Sequence, residues 1–227
     1  MGLGYGTGRG RTPLYRKRKP LPALIVLAVL SLVAVGVWIS ALDGSVDRNE
    51  AVKCPPPEEL PEGSELSSLP FDALDNTTPA TPGNAKIQVL NAGSQRGQAA
   101  ITTETLRGHG FDQISQPGND ELYPEQNMDC RGQIRFGENG AATARLLSLL
   151  EPCAELVRTN RPDAAVELSI GERFDDLRPK AEGLEAIEAL REWEKSHPNQ
   201  GSAEQSAGDG GPSIDQAKLA AARDLTC

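Results

Sequence analysis

Cys54, Cys130, Cys153 and Cys227 are the side chains in this sequence best suited to covalent chemistry. The gaps between them, 75, 22 and 73 residues, do not match the paired CxxC spacing of a zinc site. Disulfides are the chemistry that remains, provided the chain faces an oxidising compartment. Four thiols allow three full pairings, and their number alone does not choose among them. Cys130 falls just before an expected strand, and Cys153 follows the helix that should return across the sheet. That placement predicts a Cys130–Cys153 bridge. It closes a loop of about 22 residues, a constraint of about 3 kcal/mol in the chain-entropy picture. Cys54 and Cys227 are left as a second pair, with Cys227 on a tail where a free thiol also fits.

Other reactive groups are sparse. Of the two histidines, His109 sits between glycines at an expected helix end and His197 in a polar stretch. HExxH, GxSxG and Walker patterns are absent from the sequence, so no catalytic residue, metal or cofactor is expected. Neighbouring carboxylates at Asp120-Glu121 and Asp175-Asp176 keep open a carboxylate-dependent hydrolase that works with two acids. In so acidic a chain such pairs are more often solvated. Glycines near the N-terminus, in GLGYGTGRGR, lack the preceding strand and following helix of a phosphate loop. The turn at residues 91–97 offers Asn91, Ser94, Gln95 and Arg96 at a strand's C-terminal end, where α/β sheets tend to bind ligands. These four are the candidate ligand surface, against the plainer reading that Asn91 and Gly93 only shape a turn.

An apolar run of 22 residues at 21–42 must place these groups relative to a membrane. As a helix it reaches roughly 33 Å, against a hydrocarbon core of about 30 Å. It is longer than a signal-peptide core, and Trp38 suits the interface. Six cations and no acid precede it, so residues 1–20 are expected in the cytoplasm and 43–227 outside. The outer part holds all 32 acids and 17 bases, net −15, which argues against nucleic acid as a partner.

Residues 43–85 are rich in Pro, Glu, Ser and Thr and read as a stalk, with Leu66, Leu69, Phe71 and Leu74 as docking points. Periodicity then predicts a strand at 87–91, a helix from Gly97 capped by Gly110, and a short strand at 112–116. A polar loop at 117–132 precedes a strand at 133–136, a helix from Gly140 to Pro152, and strands at 155–158 and 166–170. The fold class is α/β, an α+β two-layer sandwich: a small mixed sheet of four or five strands with two helices on one face, plus one N-terminal transmembrane helix. The folded domain is expected at 86–178 and an accessory helix at 179–196. A flexible tail follows at 197–227, with a short helix capped by Ser213 and Gln216.

The run VLNAGSQRGQA at 89–99, continued by Leu106 and Gly110-Phe111, resembles the LytR C-terminal domain. Ile87 and Ala92 depart slightly from that family's pattern. RGQIRFGENGAATARLLSLLEP fits its second strand and helix, so the resemblance spans residues 86–171. The order of basic tail, anchor, stalk and cysteines is similar to a family of actinobacterial envelope integrity proteins. The resemblance implies a membrane-anchored protein of the cell envelope, without an enzymatic role. Its implied partners are the membrane and either a cell-wall glycopolymer or envelope-assembly proteins. LytR-named proteins usually carry a separate phosphotransferase domain, and the 43 residues between Leu42 and Lys86 leave no room for one.

Overall fold

The computed structural model describes residues 21–197, 214–224 and 227, so the basic tail and most of the Gly/Ser-rich segment before the last helix lie outside it. The chain divides into two compact units, Met1–Gly44 and Ser45–Cys227. Helix α1 (Leu21–Val52) runs through the division. Its described side chains in the first unit, residues 24–39, are uncharged and exposed. Those residues alone rise about 24 Å. Among the described residues no helix is long and apolar enough to cross a membrane.

The second unit is built on a mixed sheet of six strands. These are β1 (Leu66–Ser68), β2 (Ile87–Asn91), β3 (Gly118–Asn119), β4 (Gly132–Phe136), β5 (Glu155–Thr159) and β6 (Val166–Ile170). Their order across the sheet is β1-β5-β4-β6-β2-β3. β2 runs parallel to β3 and β6, and β4 parallel to β5; the β4/β6 and β1/β5 pairs are antiparallel. Alternation sends Ile87, Val89, Ile134, Phe136, Leu156, Val166, Leu168 and Ile170 to one face. There they meet α2 (Gln98–Gly108) and α3 (Ala141–Leu150), chiefly through Leu106, Leu146, Leu147 and Leu150. Each large apolar side chain fully buried in this layer contributes about 1.5–3 kcal/mol.

The two expected helices are joined on this core by α4 (Ala181–Ser196) and α5 (Gln216–Arg223), which supply Ile187, Leu190 and Leu219. Gly183 lets α4 approach α3 closely: a Cβ there would lie 2.7 Å from the Leu149 carbonyl oxygen. Gly110 takes φ 90° at the end of α2 as expected, and Phe111 returns to the core. The strand expected at 112–116 is reduced to one bridge, Ile87 to Ile114, and the sheet edge forms instead at Gly118–Asn119. Asp215 caps α5, accepting from the Ala217 amide at 2.9 Å, and Ser213 of the expected capping box lies outside the described residues.

The segment read as a stalk belongs to the folded unit from Ser45 onward. Val52, Cys54, Phe71 and Leu74 are buried, and β1 extends the sheet beyond β5. The expected Cys130–Cys153 bridge is therefore not made. Cys54 pairs with Cys130, and Cys153 with Cys227. Residues 53–68 lie along the sheet and bring Cys54 to Cys130. α5 packs on α3 and α4 and brings Cys227 to Cys153, just past the end of α3. Cys227 is therefore not free.

Candidate functional site

The alternation that fills the core sends Gln88, Leu90, Gln133, Arg135, Glu155, Val157, Glu167 and Ser169 to the other face. Register aligns Gln88, Glu167, Arg135 and Val157 in one row, and Leu90, Ser169, Gln133 and Glu155 in the next. Among the described residues no helix covers these rows. The chain around residues 53–68 and the loop at 118–128 do, joined by the Cys54–Cys130 bridge.

A charge in the middle of a covered sheet needs a partner, because desolvating it alone costs several kcal/mol. Arg135 is 1% exposed and Asp120 2%. Arg135 Nη1 donates to Asp120 Oδ1 at 3.1 Å, and Nη2 lies 2.7 Å from Oδ2, an ionic contact not aligned as a hydrogen bond. Asp120 also accepts from the Ser169 hydroxyl and, at 3.0 Å, from the Leu122 amide. Arg135 Nε donates to Gln133 Oε1 at 2.8 Å, and Gln133 Nε2 donates to Glu155 Oε2 at 2.8 Å. Glu155 further accepts from the Cys54 amide at 3.2 Å and the Ser68 hydroxyl at 2.7 Å. The Tyr123 ring lies 5.6 Å from the Arg135 guanidinium, and its hydroxyl donates to the Pro55 carbonyl at 2.6 Å. Burial pushes the Tyr123 phenol up to about 12, with Arg135 opposing part of the shift. Four strands, the loop and the bridged segment are thus tied through one polar network.

Above that network lies a cleft of about 760 Å³, within the range of ligand sites. Gln88, Leu90, Arg135 and Glu167 floor it; Ser64–Leu66, Asn119–Leu122 and Thr159–Arg161 wall it. A second cleft of about 430 Å³ adjoins it and shares Pro61, Glu121 and Leu122.

The carboxylate pairs come apart. Asp120 points into the network, whereas Glu121 is exposed on the rim. Asp175 pairs with Arg131 at 2.7 Å and with Arg178 at 2.5 Å, which hold its carboxyl well below the usual carboxylate range. Asp176 caps the Leu177 amide at 2.8 Å. Arg131 also grips buried Glu151 through Nε at 2.7 Å and Nη2 at 2.9 Å. Among the described residues no cluster of His, Cys, Asp or Glu has the makings of a metal site.

The turn after β2 places the four residues of the expected ligand surface differently. Asn91 is buried, its Nδ2 donating to the Gln95 carbonyl at 3.1 Å. Ser94 is spent on Glu172, through its amide at 3.0 Å and its hydroxyl at 2.9 Å. Gln95 and Arg96 remain exposed, and Arg96 lines a shallow cleft of about 410 Å³ with Asn119 and Gln126. Sequence reasoning passed over Arg135 and Gln133. Their signal was the polar–apolar alternation of Gln-Ile-Arg-Phe in a strand that lies centrally in the sheet.

The family of LytR cell envelope-related transcriptional attenuators matches residues 84–174. The cell envelope integrity protein Cei of Mycobacterium tuberculosis is 39% identical over 167 residues, 72% of this chain and 76% of that one. The chain belongs to the Cei family. The crystal structure of the soluble domain of a conserved hypothetical secreted protein from Mycobacterium marinum is also similar, at 30% identity and TM-score 0.58. That likeness covers 71% of this chain and 97% of the solved one. Asp120, Gln133, Arg135, Glu155 and Ser169 fall inside the LytR-type match, while Cys54, Ser68 and Cys227 fall outside it. The cleft of this Cei-family chain is therefore a LytR-type sheet face walled in by flanking chain.

Proposed function

We propose that the protein is a membrane-anchored extracytoplasmic module that supports cell envelope integrity by binding rather than by catalysis. The uncharged run at 21–42, with six cations before it, supports a single anchor with its N-terminus in the cytoplasm. Membership of the Cei family supports the envelope role. The observation that carries the binding reading is the state of the two buried carboxylates beneath the cleft. Asp120 is held by Arg135, Ser169 and the Leu122 amide; Glu155 is held by Gln133, Ser68 and the Cys54 amide. General acid–base catalysis needs a carboxyl within reach of the substrate's proton. Here both are committed as acceptors inside the protein, whereas the unpaired carboxylates that face the cleft, Glu65 and Glu121, stand exposed to solvent on its wall. Its partners are a cell-wall glycopolymer or the proteins that assemble the envelope.

The test is to incubate purified residues 45–227 with isolated wall polymer and follow its turnover. No turnover is expected, while the full chain restores normal envelope permeability to a deletion strain. Turnover that disappears in Glu121→Gln overturns the reading in favour of a carboxylate-dependent enzyme.

A further inference from the structure

The two disulfides are not equally protected. Cys54 and Cys130 are both buried, in a cluster with Ala92, Tyr123 and Met128. In the second bridge Cys153 is buried, whereas Cys227 is exposed. That bridge fastens the chain just beyond α5, a helix whose buried apolar side chains are Leu219 and Ala222. The polar links of Lys218 to Glu185 at 2.7 Å and of Lys180 to the Asp224 carbonyl at 3.1 Å are exposed, and such links add little. The third buried residue of α5 is a cation in a crowded seat. Arg145 of α3 and Arg223 of α5 both donate to Asp75 Oδ1, at 2.9 and 3.1 Å. Arg145 Nε and Arg223 Nε and Nη2 are buried without a hydrogen-bond partner. The Phe71 ring, 3.9 Å from the Arg223 guanidinium, offsets part of that cost. Burial pulls the Arg223 guanidinium down to about 10, with Asp75 opposing the shift and Arg145 adding to it. Docked α5 thus buries a second positive charge on a carboxylate that Arg145 already holds.

We propose that the Cys153–Cys227 bridge is a redox-sensitive latch that holds α5, with its buried Arg223, against α3 and α4. The inference goes beyond the binding reading above and does not depend on it. A thiolate must reach a disulfide sulfur to open it, so exposure decides which bridge a reductant meets first. The reductant is a dithiol, free or carried by an oxidoreductase. Its first thiolate attacks the Cys227 sulfur, forms a mixed disulfide there and expels the Cys153 thiolate. Its second thiolate attacks the reductant's own sulfur in the mixed disulfide and expels Cys227. Each expelled sulfur takes up the proton that an attacking thiol gave up. The dithiol leaves as a disulfide, and two electrons have passed to the protein. α5 is then held by Leu219, Ala222 and a guanidinium that is better solvated in water. Once α5 lifts, Asp75 keeps Arg145 as its partner, and the surfaces of α3 and α4 beneath α5 become accessible. The buried Cys54–Cys130 bridge stays closed, so the sheet-face cleft is kept.

The test treats the full chain in nanodiscs with graded dithiothreitol, then alkylates the free thiols and maps them by mass. Cys153 and Cys227 should be alkylated about tenfold faster than Cys54 and Cys130. In the same partly reduced protein, amide exchange should quicken about a hundredfold across Gln216–Arg223 and stay unchanged across Gly132–Phe136. Cys227→Ser should show that faster exchange without reductant. Arg223→Met removes the crowded charge and keeps an apolar stem, so after reduction its α5 should exchange about fivefold more slowly than that of the unaltered chain. Opening of both bridges at equal rates overturns the inference. So do α5 amides that stay protected once Cys153–Cys227 is open, and so does a reduced Arg223→Met chain whose α5 exchanges no more slowly.

Discussion

Arg135 and Asp120 illustrate how far one pair of side chains constrains its surroundings. Removing a single partner leaves a buried charge unmatched, so Asp120→Ala is expected to cost about 3–5 kcal/mol in urea unfolding of residues 45–227. Replacing both, with Asp120→Leu and Arg135→Met, should cost much less, since no charge is then stranded. A double variant as unstable as the single one would show that the loop's hydrogen bonds, not the charges, matter most. Tyr123 gives a second reading of the same site, because it is the one tyrosine in residues 45–227. Its phenol should titrate near 12 by ultraviolet absorbance, against about 10 for a free tyrosine. The sign follows: the fold favours the neutral phenol, so its contribution is intact below about pH 10 and declines as pH rises towards 12. This layer was poorly legible beforehand. Asp120 reads as one acid among 32 until a strand edge and a loop set it opposite Arg135.

The elements were more legible than their partners. Strands at 87–91, 133–136 and 166–170 and the helices α2 and α3 follow from period-2 and period-3.6 patterns, which are local. β1 and β3 do not. They are three and two residues long, too short for a pattern, and exist because β5 and β2 offer them an edge. Proline content made residues 43–85 resemble a spacer, although Phe71 and Leu74 pack on the domain and Arg223 sits 3.9 Å from the Phe71 ring centroid. The cysteine pairing depends on that segment, because it carries Cys54 to Cys130. Non-reducing peptide mapping should recover Cys54–Cys130 and Cys153–Cys227. Each bridge closes a loop of about 75 residues, which the chain-entropy picture values at about 4 kcal/mol. Cys54→Ser should lower stability by about 2–5 kcal/mol and also loosen β1, seen as faster amide exchange at Leu66–Ser68.

For the whole molecule, the proposed topology makes a direct prediction. Protease added to intact spheroplasts should digest the domain, with a membrane-embedded fragment left behind. A domain cut only after lysis would reverse the orientation. The bridges join the first cysteine to the second and the third to the fourth. Read as an order of events, that pattern bears on how the protein is made. A chain emerging N-terminus first presents Cys54, then Cys130, and only later Cys153 and Cys227. An oxidase that links thiols as they appear therefore reaches the native pairs without reshuffling. Secretion into a periplasm that has the oxidase and lacks the isomerase should give both bridges in full yield, whereas a Cys130–Cys153 product there would show that the order of emergence does not set the partners and that the native pairs need reshuffling.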